Sequence, residues 1–301
     1  MEPYFSVVIP TYNRAAMLGD ALRSLWAQRF TDFETIVVDN GSTDDTAALL
    51  AANQARLTWL QSDHRGPAAA RNLGAGRARG KYLAFLDSDD VWFPWALDTY
   101  ARAIGGGPQP ALVLGAATDF VALTDLAHAA ETELRAERFA DYYAADDQWR
   151  CWGAGFAVIR RDVFEAAGGF FEALINGEDA DLVMRLGAAP GFVHVTSPST
   201  FGYRRHADSA MANLDQTLRG AWHLIEAERT GGYPGGDGRA TARRRILGRH
   251  LRSLMLSAVG RSRQREAWRM YRATFRWHVG LGSWRFLAAF PLMAARTATR
   301  A

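Results

Sequence analysis

The stretch "KYLAFLDSDDVW" (81–92) decides how this chain is read. Its first half is a short apolar run ending in an acid, the pattern of a buried strand. Its second half crowds Asp87, Asp89 and Asp90 into four positions. Carboxylates this close repel one another, so a cluster at a strand end calls for a counter-charge. A divalent cation supplies one. Mg²⁺ or Mn²⁺ takes oxygen ligands and is commonly held by one or two carboxylates together with substrate phosphates. The bland alternative is a solvated turn, where aspartate is common.

The same unit recurs upstream. "FSVVI" (5–9), ended by Pro10, "FETIVVD" (33–39) and "RLTWLQ" (56–61) read as strands. Between them, "AAMLGDALRSLWAQ" (15–28) carries a helical stripe at positions 18, 22, 25 and 26. "GSTDDTAALLAAN" (41–53) starts a helix with Ser42 or Thr43 as cap, and "GPAAARNLGAGRA" (66–78) starts one with Pro67 in its first turn. Four strand–helix alternations predict an α/β fold with a doubly wound, mostly parallel, Rossmann-like sheet. Ligands of such sheets sit beyond the carboxyl ends of the strands. Asp39 and the Asp87–Asp90 cluster both end strands, and so are expected to face one crevice.

Further on the pattern loosens. "GGGPQP" (105–110) is a break, "PALVLGAATDF" (110–120) a further strand, and 125–148 an acid-rich segment without clear caps. "AGFAVIRRDVFEAAGGF" (154–170) reads as strand, helix and glycine stop. "EDADLVMRLG" (178–187) starts a helix with acids where the dipole favours them. "GYPGGDG" (232–238) is the clearest linker. The expected organisation is a catalytic domain over 1–231, with a nucleotide half (about 1–104) and an acceptor half (about 105–231), then the linker, then a basic helical region over 239–301.

Composition is that of an ordinary globular protein, with 49% hydrophobic and 22% charged residues. Cys151 is the single cysteine, which excludes an internal disulfide and fits a reducing compartment. The start of the chain lacks the basic-then-apolar pattern of a secretory signal, and no apolar run reaches the ~18 residues of a membrane span. The net charge of +3 hides an asymmetry: residues 239–301 carry 15 arginines and one acid, Glu266, so the remainder is strongly acidic.

Five motifs come in a telling order: "VVIPTYNR" (7–14), "IVVDNGSTDDT" (36–46), "GPAAARNLGAGRARGKYLAFLDSDD" (66–90), "GGFFEALINGEDADLVMRLG" (168–187) and "YRRHADSAM" (203–211). In order and spacing they resemble the family-2 glycosyltransferases of the GT-A fold, over about residues 4 to 212. The resemblance implies a nucleotide-sugar donor, a UDP-sugar above all, a divalent cation (Mn²⁺ or Mg²⁺), and inversion at the anomeric carbon. It places Pro10, Thr11, Tyr12, Asn13, Asp39, Arg71, Asp87 and Ser88 at the donor. Asp89 and His206 fall at the metal, and Asp179 is similar to the catalytic base. Glu178, Asp90 and Arg204 are secondary candidates. The acceptor it implies is a glycan or lipid-linked glycan, in surface polysaccharide, lipid-linked glycan or glycolipid synthesis. Phe171 stands where aspartate is common in the family, on the acceptor side.

The residues suit these roles chemically. A buried aspartate can accept from the N–H of a base such as uracil. A carboxylate such as Asp179 can take the proton of an attacking hydroxyl. Each also has a plainer reading. Asp39 could cap the following turn, Arg71 could form a surface pair, His206 could be a solvated loop residue, and Glu178 and Asp179 could merely start their helix favourably.

Three rival readings stand beside this one. "FLDSDDV" fits the nucleophile loop of haloacid-dehalogenase-like phosphatases, with Asp87 as nucleophile and Asp89 as acid/base. That loop usually follows the first strand, however, and the only lysine, Lys81, is upstream. "GAGRARG" (74–80) matches a dinucleotide-binding spacing, but it lies late in a helix. A non-catalytic sugar-nucleotide binder would not need Asp179.

In the tail, "ARRRILGRHLRSLMLSAV" (242–259) aligns Ile246, Leu247, Leu251, Leu254, Met255 and Ala258, and "EAWRMYRATFRWHVG" (266–280) aligns Trp268, Tyr271 and Phe275. "SWRFLAAFPLMAAR" (283–296) is apolar and interrupted by Pro291. Such helices suit an anionic membrane surface, or a cover packed on the catalytic domain. Nucleic acid is not an expected partner. The expected location is cytoplasmic, peripheral on the inner face of the cell membrane.

Overall fold

A computed structural model describes residues 2–63, 65–145, 153–206 and 213–298. Cys151 and the end of the fifth motif lie outside them. The predicted alternation is present as β1 (Phe5–Thr11), α1 (Ala15–Trp26), β2 (Phe33–Asp39), α2 (Thr46–Ala52), β3 (Thr58–Gln61), α3 (Pro67–Arg77) and β4 (Tyr82–Phe85). These four strands pair in parallel in the order β3-β2-β1-β4. β1 is buried throughout, as expected for a central strand covered on both faces.

Two local expectations change. Pro10 does not end β1, which runs on to Thr11. Val8 accepts from the Leu86 N–H, but two residues later β4 has already left the ladder, so the N–H that Pro10 lacks has no partner to miss. Nor do Ser42 and Thr43 cap a helix. α2 begins at Thr46, and both residues bind the loop after β1 instead.

The sheet continues through β8 (Ala157–Arg160), β6 (Leu112–Phe120), β9 (Phe192–Arg204) and β5 (Val91–Trp92), and β7 (Arg135–Phe139) adds to β9. β8 is antiparallel to both β4 and β6, so the parallel half ends at β4. The thirteen-residue β9 carries Arg204 from the far end of the sheet to the acid cluster. β5 and β7 have no apolar alternation long enough to read, and β7 falls in the segment with no evident caps.

α4 (Ala96–Gly105), α5 (Arg161–Ala166), α6 (Glu178–Arg185) and α7 (Leu214–Arg229) flank the sheet. α8 (Ala240–Gly260), α9 (Gln264–Gly280) and α10 (Trp284–Ala298) follow. Ile246, Leu247, Leu251, Leu254, Met255 and Ala258 are all buried, in one apolar cluster with Phe5, Val113 and Phe192 of the sheet. Glu228 of α7, itself buried, ties α8 down through Arg243 at 2.6 Å and Arg244 at 2.9 Å. Among the described residues, no helix is long and apolar enough to cross a membrane.

Candidate active site

The loops that leave β1, β2 and β4 meet at the carboxyl end of the parallel strands. Thr11 and Asp39 are register partners on β1 and β2, and both are buried. The Asn40 N–H donates to the Thr11 carbonyl at 2.9 Å, and the Ser42 N–H donates to Asp39 Oδ1 at 2.9 Å. Asn13 holds the two loops together. Its N–H donates to Ser42 Oγ at 2.9 Å, and its Oδ1 accepts the Thr43 N–H at 2.7 Å. Its φ of 49° is the left-handed conformation that asparagine tolerates better than most side chains. Tyr12, beside it, is largely exposed.

Arg71, projecting from α3, is buried among acids. Its guanidinium donates to Asp87 Oδ1 at 2.5 Å and to Glu178 Oε1 at 2.8 Å, and it lies 5.3 Å over the Phe170 ring. Burial works against its charge, but the two carboxylates outweigh it and push its pKa above the ordinary arginine value. It thereby joins the loop after β4 to the first turn of α6, bringing Asp179 into the same site.

Asp179 is partly buried, and its Oδ1 accepts the Ala180 N–H at 2.7 Å. Its Oδ2 has no hydrogen-bond partner among the described residues. Burial, and then the neighbouring Glu178 charge, raise its pKa to about 7. Glu178 is engaged by Arg71 and the Gly177 N–H. Behind them, Asp181 pairs with Arg185 of its own helix at 2.8 Å and anchors α6 to His223 at 2.9 Å and Tyr233 at 3.2 Å. Phe171, 42% exposed, stacks on His223 with ring centroids 4.2 Å apart.

The acid cluster is compensated by the chain's own cations. Asp89 Oδ2 accepts from Arg14 and stands 2.9 Å from His206 Nε2. Asp90 is buried and accepts the Arg204 N–H at 2.8 Å, while Arg204 Nε donates to the Asp89 carbonyl at 2.7 Å and Nη2 to Asp20 at 2.8 Å. Burial and the charges of Asp87 and Asp89 raise the Asp90 pKa to about 9. Ser88 is buried.

Three polar atoms in this region are buried without a partner among the described residues: Thr11 Oγ1, Arg71 Nε and His206 Nδ1. Buried polar groups left unmade cost stability, and their clustering here fits a site completed by a polar ligand. The residues fit a divalent cation in part. Asp89 Oδ2 and His206 Nε2 stand 2.9 Å apart, close enough to be neighbouring ligands of one ion, although no group of three or more His, Cys, Asp or Glu among the described residues is arranged to hold an ion. A shell of few protein ligands is one that substrate phosphates complete.

Sequence reasoning missed Arg14, Asp20 and Gly155. A Cβ on Gly155 would lie 3.3 Å from the Phe201 ring and 3.4 Å from Asp87 Oδ2, so a side chain there would crowd the ring slightly and touch the acid. Arg14 was inside a quoted motif, but nothing in its spacing pointed toward Asp89. Two of the three glycines of "GAGRARG" serve packing, while a Cβ on the third, Gly76, would meet nothing within 4 Å. A Cβ on Gly74 would meet Val8 at 2.5 Å, and one on Gly80 would meet the Ser6 backbone at 2.5 Å, near the amino end of β1 and away from the acids.

Comparison with known proteins agrees with this fold. The model of glycosyl transferase family 2 matches residues 6–168, more than half of the chain. An uncharacterized glycosyltransferase of Rickettsia conorii is 46% identical over 90 residues, covering 29% of this chain and 15% of that protein. The GalNAc(5)-diNAcBac-PP-undecaprenol beta-1,3-glucosyltransferase of Campylobacter jejuni is 36% identical over 110 residues, 35% of this chain and 36% of that one. The matched regions thus span well under two thirds of these relatives. Among solved structures, Staphylococcus aureus TarS 1–349 in complex with UDP-GlcNAc superposes with a TM-score of 0.65 at 20% identity, covering 83% of this chain and 73% of that one. The mannosyltransferase PcManGT of Pyrobaculum calidifontis, in complex with GDP-Man and Mn²⁺, gives a TM-score of 0.58 at 21% identity, covering 99% and 81%. At these identities the likeness is one of fold. The mixed, mostly parallel sheet, the acids gathered at its carboxyl edge and the family match lead to one conclusion: the chain belongs to glycosyl transferase family 2 and has the GT-A fold.

Proposed function

We propose that the chain is a metal-dependent, inverting glycosyltransferase that moves a hexosyl group from a UDP-sugar to a hydroxyl of a glycan or lipid-linked acceptor. The observation that carries this reading is the Asp179 carboxylate. It keeps one oxygen free, has a pKa near neutrality, and is held by the Glu178–Arg71–Asp87 bridge beside the acid cluster. A general base working near neutral pH needs those properties.

In this reading Asp39 and Thr11 receive the base, with Pro10, Tyr12 and Asn13 shaping the loop around it. Arg71, Asp87 and Ser88 position the ribose and diphosphate. Asp89 and His206 would hold the cation, with Asp90 and Arg204 supporting Asp89. When bound, the cation supplies charge that offsets what builds up on the departing diphosphate. Asp179 takes the proton of the acceptor hydroxyl as it attacks the anomeric carbon from the face opposite the diphosphate, which inverts that carbon. Residues 1–231 form the catalytic domain, split near 104 into donor and acceptor halves, and 232–238 link it to the basic helical region.

The UDP-GlcNAc bound by TarS supports the donor class, the Mn²⁺ of the mannosyltransferase supports the cation, and the undecaprenol-linked substrate named for the Campylobacter relative supports the acceptor class. In this reading the chain works on the cytoplasmic side, at the inner face of the cell membrane, which the lipid-linked substrate of that relative supports. The test is a thermal-shift screen of nucleoside diphosphates and nucleotide sugars with and without Mn²⁺. UDP-sugars should raise the melting temperature only with the cation, since a ligand that binds the native state alone stabilises it. Asp89→Ala should lose that shift, and Asp179→Asn should keep it while losing transfer. A shift that ignores Mn²⁺, or transfer undiminished in Asp179→Asn, overturns the proposal.

A further inference from the structure

The tail helices divide their residues sharply. α9 turns Ala267, Met270, Tyr271, Thr274, Trp277 and His278 inward. Its outward stripe is Arg265, Arg269, Arg272, Phe275, Arg276 and Val279, all exposed. α10 returns antiparallel along α9. Tyr271 stacks on Phe290 at 4.7 Å, while His278 lies against Phe286 at 4.6 Å. The outer side of α10 leaves Trp284 62%, Leu292 64% and Met293 41% exposed, beside Ala288 and Ala289.

Single exposed apolar residues are normal on a soluble protein, but a contiguous set marks a contact surface. Here Phe275, Val279 and Trp284 flank the turn of one helical hairpin, and Leu292 continues the strip along α10. Within residues 239–301 the charge is nearly all of one sign. Glu266 is the only acid from 239 to 301, and it is already engaged by Arg269. Arg265, Arg272, Arg276 and Arg285 make no ion pair or hydrogen bond among the described residues. An apolar strip rimmed by unneutralised arginines matches the boundary between anionic headgroups and acyl chains. It does not suit a second copy of itself, since two such faces would bring like charges together.

We infer that the outer face of the α9–α10 hairpin is a docking surface for an anionic lipid bilayer. Trp284, Phe275, Val279 and Leu292 enter the headgroup boundary, and Arg272, Arg276 and Arg285 meet lipid phosphates. The hairpin lies on the surface rather than crossing it, consistent with helices too short or too polar to span. α8, by contrast, faces the protein core, so the tail is both a cover and an anchor, through different helices. This inference stands apart from the sugar chemistry proposed above.

The test is sedimentation of the full chain with vesicles, without donor or metal. Phosphatidylcholine–phosphatidylglycerol vesicles should carry the protein down, and pure phosphatidylcholine vesicles should leave it in the supernatant. Trp284→Ser with Leu292→Ser, and separately Arg272→Glu with Arg276→Glu, should each lower the bound fraction about tenfold. All four positions are exposed, and unchanged melting temperatures would show that the variants are folded. Three results overturn the inference: wild-type protein that ignores anionic vesicles, both double variants sedimenting like wild type, or a solution dimer that Trp284→Ser dissociates. The last would assign the face to a second copy. Because no transfer is measured, failure of the glycosyltransferase reading leaves this outcome untouched.

Discussion

Arg71 and Glu178 are 107 positions apart in the chain and joined by a 2.8 Å hydrogen bond. The pair fixes where α6 starts relative to the acid cluster, and it leaves the Glu178 charge next to Asp179. Glu178→Gln keeps an acceptor for Arg71 and removes that charge. The Asp179 pKa should fall from near 7, and the acid limb of the transfer rate should move to lower pH by about one unit. A pH–rate profile at saturating donor reads this directly. An unmoved limb would mean that another group sets it.

Asp179→Asn carries a stability signature besides loss of activity. A carboxyl whose pKa is raised by folding favours the folded state in its protonated form. That contribution is complete below the ordinary carboxylate pKa and lost as pH rises through about 7. The variant should therefore melt higher than wild type at pH 8, with each kcal/mol worth about 2–4 °C, and the gain should shrink toward pH 4. Transfer should fall by roughly 10²–10⁴. Melting curves at the two pH values check the sign.

Arg14 donates to Asp89, so it competes with any cation for that carboxylate. Arg14→Gln should tighten Mn²⁺ binding to the free protein by about tenfold, the equivalent of roughly 1.4 kcal/mol. Titration followed by the Mn²⁺ paramagnetic resonance signal measures it. Equal affinities would show that the arginine does not guard the acid.

Gly80→Ala should destabilise without touching the site. The added Cβ meets the Ser6 amide nitrogen at 2.5 Å, a backbone contact that cannot swing aside. A loss of about 1–3 kcal/mol is expected by chemical denaturation. UDP binding by the folded fraction should be unchanged, because Gly80 packs near the amino end of β1, away from the acids.

The parallel half of the fold was legible because each of its strands is a short apolar run bounded by helix signals, and β1 to β4 fell where those runs stand. β5, β7 and β9 were not. Two residues carry no periodicity, β7 is mostly exposed, and β9 alternates burial irregularly around its register shifts. Within the site, the acids announced themselves by crowding at strand ends. Their counter-ions did not show by pattern: Arg204 was named only through the family resemblance and Arg14 not at all, because their contacts with the acid cluster are made across 114 and 75 positions and depend on how the sheet brings distant loops together. The caps assigned to Ser42 and Thr43 went wrong for the same reason: a long-range partner, Asn13, won over the local one.

Leu251 and Met255 of α8 share one apolar cluster with Phe5 and Val113. A ribosome makes the sheet strands first, and this helix begins only at Ala240, 36 residues after the last of them ends at Arg204. The nascent chain therefore carries an unfinished apolar face until α8 emerges, an interval in which chaperones, or early adhesion to a neighbour, have their opening. Cutting the gene at the glycine-rich segment would make that interval permanent.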